Sequence, residues 1–349
     1  MNFASDNTAG VAPAILAAIE RANQGFALGY GNDALTEAVE GRFAEIFEHE
    51  VAVFLVPTGT AANALAIAHI CPPWGGVLCH ADSHIATDEC GAPEFFGGGI
   101  KLIGLAGDAG KLTPAAVQAA IERYSGHVPH QVNAAALSLT QATEAGTAYR
   151  TSDVAALAET AHARGLAVHM DGARFANALA RMNVSPAEAT WKAGVDVLSL
   201  GATKGGALAA EAVVFFDPAR AAAMPERRKR GGHLASKHRF LAAQFDAFFA
   251  DGLWLTLARH ANAMADRLAK GLVGIGLRPL WPVDANLVFT LLPPHVHARL
   301  QAQGAHYYVR RRDHGTSGGG ADDVLVRLVT SFVTTPADID RFVAVVRAS

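Results

Sequence analysis

Three short stretches of this chain hold residue types and spacings that could do chemistry. Lys204 stands in "GATKGG", just past the apolar run Val195–Leu200. A lysine at such a strand end, desolvated and close to other cations, has its free amine favoured and can form a Schiff base with a carbonyl. Asp171 closes the run Leu166–Asp171 in "HMDGARF", with Arg174 three residues further on. A carboxylate there can face a cationic ring nitrogen, and a guanidinium in the turn beyond can grip a carboxylate bidentately. "TGTAAN", Thr58–Asn63, leads out of the run Val51–Val56 into a helical pattern, so the Gly59 and Thr60 amides offer an anion site at a helix N-terminus. Each stretch also has a plain reading: a helix cap, an Asp171–Arg174 ion pair and a surface-turn lysine.

Positioning these groups requires a scaffold that sets them side by side. Short apolar runs at Val51–Val56, 76–80, 100–105, 134–139, 166–171, 195–200 and 210–216 read as strands, and helical patterns such as "TPAAVQAAIER" and "TSDVAALAETAHARG" separate several of them. Strands alternating with helices predict βαβ units and a mainly parallel, doubly wound α/β sheet, whose ligands collect at the carboxyl ends of the strands. Lys204 follows Asp171 by 33 residues, about one βαβ step, so the two should stand at neighbouring strand ends. After about Phe245 the pattern changes to a long helix, "NLVFTLL", a helix from Pro293, "HYYVR", "VLVRLVTSFV" and a closing helix from Thr335. The expectation is a large domain over 1–245 with an N-terminal arm and a smaller α+β domain over 246–349. "RRRDHGTSGGGADD" (310–323) reads as a polar surface loop and "FFGGGI" (95–100) as a turn.

Composition narrows the partners. At 349 residues, 51% hydrophobic and a formal net charge of −3, the chain can bury a large core and has no general attraction to nucleic acid or anionic lipid. A small-molecule ligand is the default, and the basic cluster "ERRKRGGHLASKHR" (226–239) reads as a phosphate contact plus a solvated helix. Three cysteines, Cys71, Cys79 and Cys90, with no CxxC, argue for a reducing compartment. The N-terminus lacks a basic n-region and no apolar run is long enough to span a membrane, so a cytoplasmic location is expected. Fifteen histidines raise a metal reading, but there is no HExxH, and "HVPH" (127–130) and "HVH" (295–297) fall in polar or helix-start stretches, so no metal is expected. His169 shares a strand face with Asp171 and reads as packing behind it. Taken together, an amine for an aldehyde, a carboxylate for a pyridinium and helix amides for a phosphate describe one cofactor, pyridoxal 5'-phosphate.

Over nearly its whole length the chain resembles the low-specificity L-threonine aldolases, within the fold-type I pyridoxal phosphate enzymes. The likeness rests on "FASDNTAG", "YGND", "TGTAAN", "SHIATDECGAPEFF", "LTQATEAG", "HMDGARFANA", "TWKAGVDVLSLGATKGG" and "GGHLASKHRFLAAQ". It implies Lys204 as the cofactor's covalent anchor, Asp171 as partner of the pyridine nitrogen, and Thr58, Gly59 and Thr60 as the phosphate cup. His84 corresponds to a histidine that stacks on the cofactor ring close to the substrate's β-hydroxyl. Ser5, Arg174 and Arg327 correspond to the groups holding the substrate carboxylate, with Arg174 also beside the cofactor. Tyr30 matches a tyrosine lent by a neighbouring subunit, and Lys237 falls close to a basic residue that reaches a partner's phosphate. Glu144, in "LTQATEAG", stands where many relatives carry an active-site histidine and is a candidate base. The implied activity is cleavage of L-β-hydroxy-α-amino acids of the threonine, allo-threonine and phenylserine type to glycine and an aldehyde, in a homotetramer with shared active sites. An aminotransferase or a β-eliminating lyase would keep Lys204, Asp171 and the cup, and would release a keto acid or ammonia instead.

Overall fold

The computed structural model describes residues 1–126, 129–311 and 319–348. Every strand expected of the larger unit forms, as β1 (Ala52–Val56), β2 (Gly75–His80), β3 (Lys101–Leu105), β4 (Asn133–Thr140), β5 (Ala167–Gly172), β6 (Val197–Gly201) and β7 (Glu211–Phe215). They make one sheet in the order β1-β7-β6-β5-β4-β2-β3. Strand β7 alone runs antiparallel, against both β6 and β1. The cause is length: only residues 202–210 join β6 to β7, and a parallel return needs a crossover of a dozen residues or more.

Alternate residues along each strand serve two apolar layers, as a period of two dictates. Leu198, Leu200 and Val214 face the layer that holds Phe43, Leu157, Phe175 and Phe245. Val197, Val213 and Phe215 face the opposite layer, with Ala62, Leu65 and Ala66 of the helix Gly59–Ile70. That helix is buried continuously from Ala61 to Ala68, which explains why its sequence is apolar all round. Its N-terminus therefore meets the sheet's carboxyl edge at a fixed depth.

The C-terminal unit joins helix Leu253–Val273 to the sheet β8 (Leu287–Leu292), β10 (Val324–Val329) and β9 (Tyr308–Val309), in that order, with helices Pro294–Ala302 and Pro336–Arg347. Thr335 and Asp338 close a capping box on the last helix. The N-terminal arm is stitched to this unit: Phe3 N–H donates to His306 O at 2.7 Å and the Phe3 ring lies 5.2 Å from Phe342. Ser5 and Asp6 are thereby carried to the seam between the two units. Residues 312–318 of the expected polar loop, and residues 127–128 of "HVPH", lie outside the described residues. Gly98 and Gly99 have positive φ, as the turn in "FFGGGI" needs. All three cysteines are free.

Candidate active site

Lys204 lies in the turn after β6, half-buried. It borders a narrow cleft with Asn177, Asn286 and Ser331, and among the described residues no hydrogen bond or ion pair engages its amine. Its charge reaches Asp6, His84 and Glu211. Glu211, the first residue of β7, is fully enclosed beside Thr203, and burial pushes its carboxyl up to about 7 against the pull of Thr203 and Lys204.

Asp171 occupies the end of β5, paired in register with Thr140 on β4 and Ser199 on β6. Its Oδ1 accepts from the Ala173 amide at 3.0 Å and its Oδ2 from Asn63 Nδ2 at 2.9 Å. The same Asn63 nitrogen donates to Glu89 Oε1 at 2.8 Å, and Glu89 Oε1 lies 2.8 Å from His84 Nδ1. A continuous chain, Asp171–Asn63–Glu89–His84, thus crosses the carboxyl edge from β5 to the segment after β2. Burial raises the Glu89 carboxyl, and the Glu89 hydrogen bond raises His84 above the ordinary histidine range. The pair therefore holds a shared proton to higher pH than either group would alone. Behind Asp171, His169 is locked between Ser138 and Ser199 at 2.9 Å each, and burial pulls it down to about 4, a neutral packing residue as its strand position suggests.

The guanidinium of Arg174 is not paired with Asp171. Its Nε and Nη2 donate to the two Asp6 oxygens at 2.8 and 3.0 Å, both residues being buried. The bidentate fork that the sequence assigns to a substrate carboxylate is therefore taken, along one edge, by a carboxylate of the N-terminal arm. Asn286 also donates to Asp6, at 3.1 Å. Burial opposes the Asp6 charge, but Arg174, Lys204 and these hydrogen bonds hold its carboxyl below the usual range. Arg327, on β10, is buried with its Nε lacking a partner among the described residues, its Nη2 only 3.4 Å from Ala4 O and its guanidinium over the Tyr308 ring. Burial, together with the nearby positive Arg174 and Arg310, pulls it down to about 10. Ser5 caps the short turn Asp6–Thr8 and lies half-buried beside this cluster.

Glu144 lines a cavity of about 630 Å³ with Asp82, Asp108, Trp281, Phe289 and Arg310, and its charge reaches His84, Arg174 and Arg327. Tyr30 and Lys237 stand apart. Both are exposed, Tyr30 N–H donates to Ser236 O at 3.0 Å, and Lys229 lies over the Tyr30 ring. Within the single chain, among the described residues, no hydrogen bond or ion pair joins either to Lys204, Asp171 or His84.

These groups fit pyridoxal phosphate. Thr58 caps its helix by accepting from Ala61 N–H at 3.2 Å, while the Gly59 and Thr60 amides have no protein partner among the described residues. Nothing lies within 4 Å of where a Gly59 side chain would begin, so the approach to those amides is open. The amine of Lys204, the Asp171 carboxylate and these amides form the donor set that an aldehyde, a pyridinium and a phosphate require.

The profile described as beta-eliminating lyase matches residues 2–293. A low-specificity L-threonine aldolase from Pseudomonas sp. is 40% identical over 99% of this chain and 97% of its own length. Another, from Pseudomonas aeruginosa, is 44% identical over 88% of each. The chain belongs to the low-specificity L-threonine aldolase family. The structure of Leishmania major threonine aldolase superposes with a TM-score of 0.92 at 28% identity, covering 99% of this chain and 98% of that one. A lysine-to-alanine variant of serine palmitoyltransferase from S. paucimobilis, solved with a bound PLP–myriocin aldimine, shares the fold at a TM-score of 0.71 and 17% identity over 100% of this chain and 86% of its own. This aldolase is a carbon–carbon lyase and its cofactor is pyridoxal 5'-phosphate.

Among the residues of the edge, Asp6, Asn63, Glu89 and Asn286 have no role in the sequence reading. Asp6, Asn63 and Glu89 lie inside motifs that carry the resemblance, "FASDNTAG", "TGTAAN" and "SHIATDECGAPEFF", yet none of these stretches says which group its side chain meets.

Proposed function

We propose that the chain cleaves L-β-hydroxy-α-amino acids of the threonine, allo-threonine and phenylserine type to glycine and an aldehyde by breaking the Cα–Cβ bond. The observation that carries this reading is a buried guanidinium with a free Nε, Arg327, beside the Arg174–Asp6 pair whose carboxylate feels the Lys204 charge. An amino-acid carboxylate seated there would bring its amine and β-carbon toward Lys204 and His84. Lys204 would hold the cofactor's aldehyde carbon, Asp171 its ring nitrogen, and Thr58, Gly59 and Thr60 its phosphate. When bound, the cofactor supplies an electron-poor ring able to take up the electron pair of the broken bond.

The remaining work belongs to the protein. Arg327, Ser5 and the Nη1 of Arg174, which no hydrogen bond engages among the described residues, fix the carboxylate, which orients the bond to be broken. His84 takes the β-hydroxyl proton, and Glu144, at the cavity wall, orders the water and polar groups around the departing aldehyde. The expected results are loss of aldehyde release in Lys204→Ala, a fall of about a hundredfold in kcat in His84→Gln, and a smaller fall in Glu144→Gln. Assays of aldehyde and glycine with L- and D-threonine, both allo forms and phenylserine test this directly. Keto acid or ammonia as the product would favour an aminotransferase or the β-elimination that the family description names.

The assembly we propose is a cytoplasmic homotetramer in which Tyr30 and Lys237 reach a partner's site. Supporting it, Phe26, Leu28 and Tyr30 cluster in sequence at 108%, 72% and 50% exposure, a solvent-facing apolar patch of the kind that marks an interface. Three free cysteines favour a reducing compartment, and among the described residues no helix is long and apolar enough to cross a membrane. Sedimentation analysis showing a monomer would remove the shared-site part of the reading.

A further inference from the structure

We propose that Glu89 and Asn63 are positioning residues that fix the tautomer of His84 and tie its charge to Asp171, making His84 Nε2 the atom that takes the β-hydroxyl proton. The inference rests on the aldolase reading above. Glu89 has a fully enclosed side chain, and its Oε1 meets both Asn63 Nδ2 and His84 Nδ1 at 2.8 Å. With Glu89 ionised, its oxygens offer only lone pairs, so the hydrogen in the second contact sits on Nδ1. A neutral imidazole with its hydrogen on Nδ1 presents a bare lone pair at Nε2.

Asn63 is the part that makes the arrangement directional. Its nitrogen lies between two carboxylates, 2.9 Å from Asp171 Oδ2 and 2.8 Å from Glu89 Oε1. Turned over, the amide would set its oxygen against both, so the electrostatics choose the orientation. The amide hydrogens thereby hold Asp171 and Glu89 within reach of one another without direct contact. Four charged groups face His84: Glu89, Asp171 and Glu144 strengthen its hold on a proton, while Lys204 and burial weaken it. Among the described residues Glu89 Oε2 and Asn63 Oδ1 are buried with no partner, so this carboxylate is enclosed with a single anchored oxygen, and its tie to His84 is the main compensation for its burial.

Glu89→Gln retains an acceptor oxygen for Nδ1–H and for Asn63, and removes the charge. Because Glu89 raises the proton affinity of His84, its loss lowers that affinity, and the acidic limb of the kcat profile for threonine cleavage should move to lower pH by about one unit. Plateau kcat should fall about tenfold, as a weaker base requires, with KM changed less than about twofold. A role confined to folding would lower stability or cofactor content and leave the limb where it is. Coincident limbs in wild type and Glu89→Gln would overturn the proposal. Nitrogen-15 spectra of histidine-labelled holoenzyme above the limb, with the His84→Gln spectrum subtracted, read the tautomer without altering Glu89. Hydrogen on Nδ1 supports the relay; hydrogen on Nε2 with a bare Nδ1 overturns it. If the wild type releases no aldehyde, the aldolase reading fails, and the nitrogen spectrum still decides the relay.

Discussion

Asp6→Ala probes both the fold and the site, because Asp6 fills one edge of the Arg174 guanidinium through two hydrogen bonds at 2.8 and 3.0 Å. Removing the carboxylate leaves Arg174 charged in a position with almost no exposure. Breaking one side of a buried, hydrogen-bonded pair costs about 3–5 kcal/mol. With 349 residues and an unfolding entropy of about 2.1 cal/mol/K per residue, that loss lowers the thermal midpoint by roughly 4–7 °C. Replacing both partners, as in Asp6→Ala with Arg174→Met, should recover much of the shift, since no charge is then stranded. The pH dependence has a definite sign. The folded Asp6 carboxyl is held below its ordinary value, so its contribution is complete above the carboxylate range and is lost as pH falls through the lowered value. The single variant should therefore differ from wild type at neutral pH and approach it in acid. Substrate binding reports the second role: freed of Asp6, the guanidinium can turn its donors away, and KM for L-threonine should rise about tenfold, the equivalent of one charge-assisted hydrogen bond. An unchanged midpoint and an unchanged KM would refute the claim that this pair aims Arg174.

Glu211→Gln should stabilise the protein above neutral pH and have little effect in mild acid. The folded carboxyl is raised from 4.5 to about 7, so ionisation opposes folding increasingly as pH rises between those values, by an amount on the order of 3 kcal/mol at 1.36 kcal/mol per unit; midpoints measured across that range check it, and parallel curves would reject it. Arg327→Lys should raise KM for amino-acid substrates with a smaller change in kcat, because an ammonium cannot reproduce the planar donor edge.

Much of the scaffold was legible because it is written in local periodicity. Each apolar run of the larger unit became a strand within a residue or two, and the strand-end positions of Asp171 and Lys204 follow from those runs alone. The reversal of β7 was equally available, since the nine residues 202–210 are too few for a crossover. What pattern reasoning could not supply was pairing at a distance. Asp6 and Arg174 are 168 residues apart and Asn63 and Asp171 are 108 apart, and their meeting depends on the arm's route over the small unit and on the depth of a fully buried helix. An Asp-x-x-Arg spacing invites a local ion pair, yet Arg174 turns to the N-terminal arm. Glu89 follows His84 by five residues, a separation that no helical or strand period brings together; it lies where the short helix His84–Thr87 ends, just before Cys90 and Gly91 take positive φ.

The distribution of unsatisfied polar atoms carries the remaining step. Among the described residues, Asn63 Oδ1, Glu89 Oε2, Asn286 Oδ1 and Arg327 Nε are buried without partners, and all four belong to the carboxyl edge or to the seam above it. Each such atom costs about 1–3 kcal/mol when left dry, so a fold selected for stability alone would not gather them in one place. Their chemistry is also mixed: Arg327 offers a donor, which the carboxylate of an amino acid would answer, while Asn63, Glu89 and Asn286 offer acceptors, which its hydroxyl and ammonium hydrogens would answer. A second concentration among the described residues, at Arg227, Arg228, His233 and His238, sits in the basic segment beside Tyr30, where the proposed assembly would bring a partner's chain. Three further atoms, His69 Nδ1, Ser83 Oγ and Glu94 Oε2, belong to neither group, so buried polarity awaiting a partner marks the ligand-facing edge and the proposed assembly flank without being confined to them.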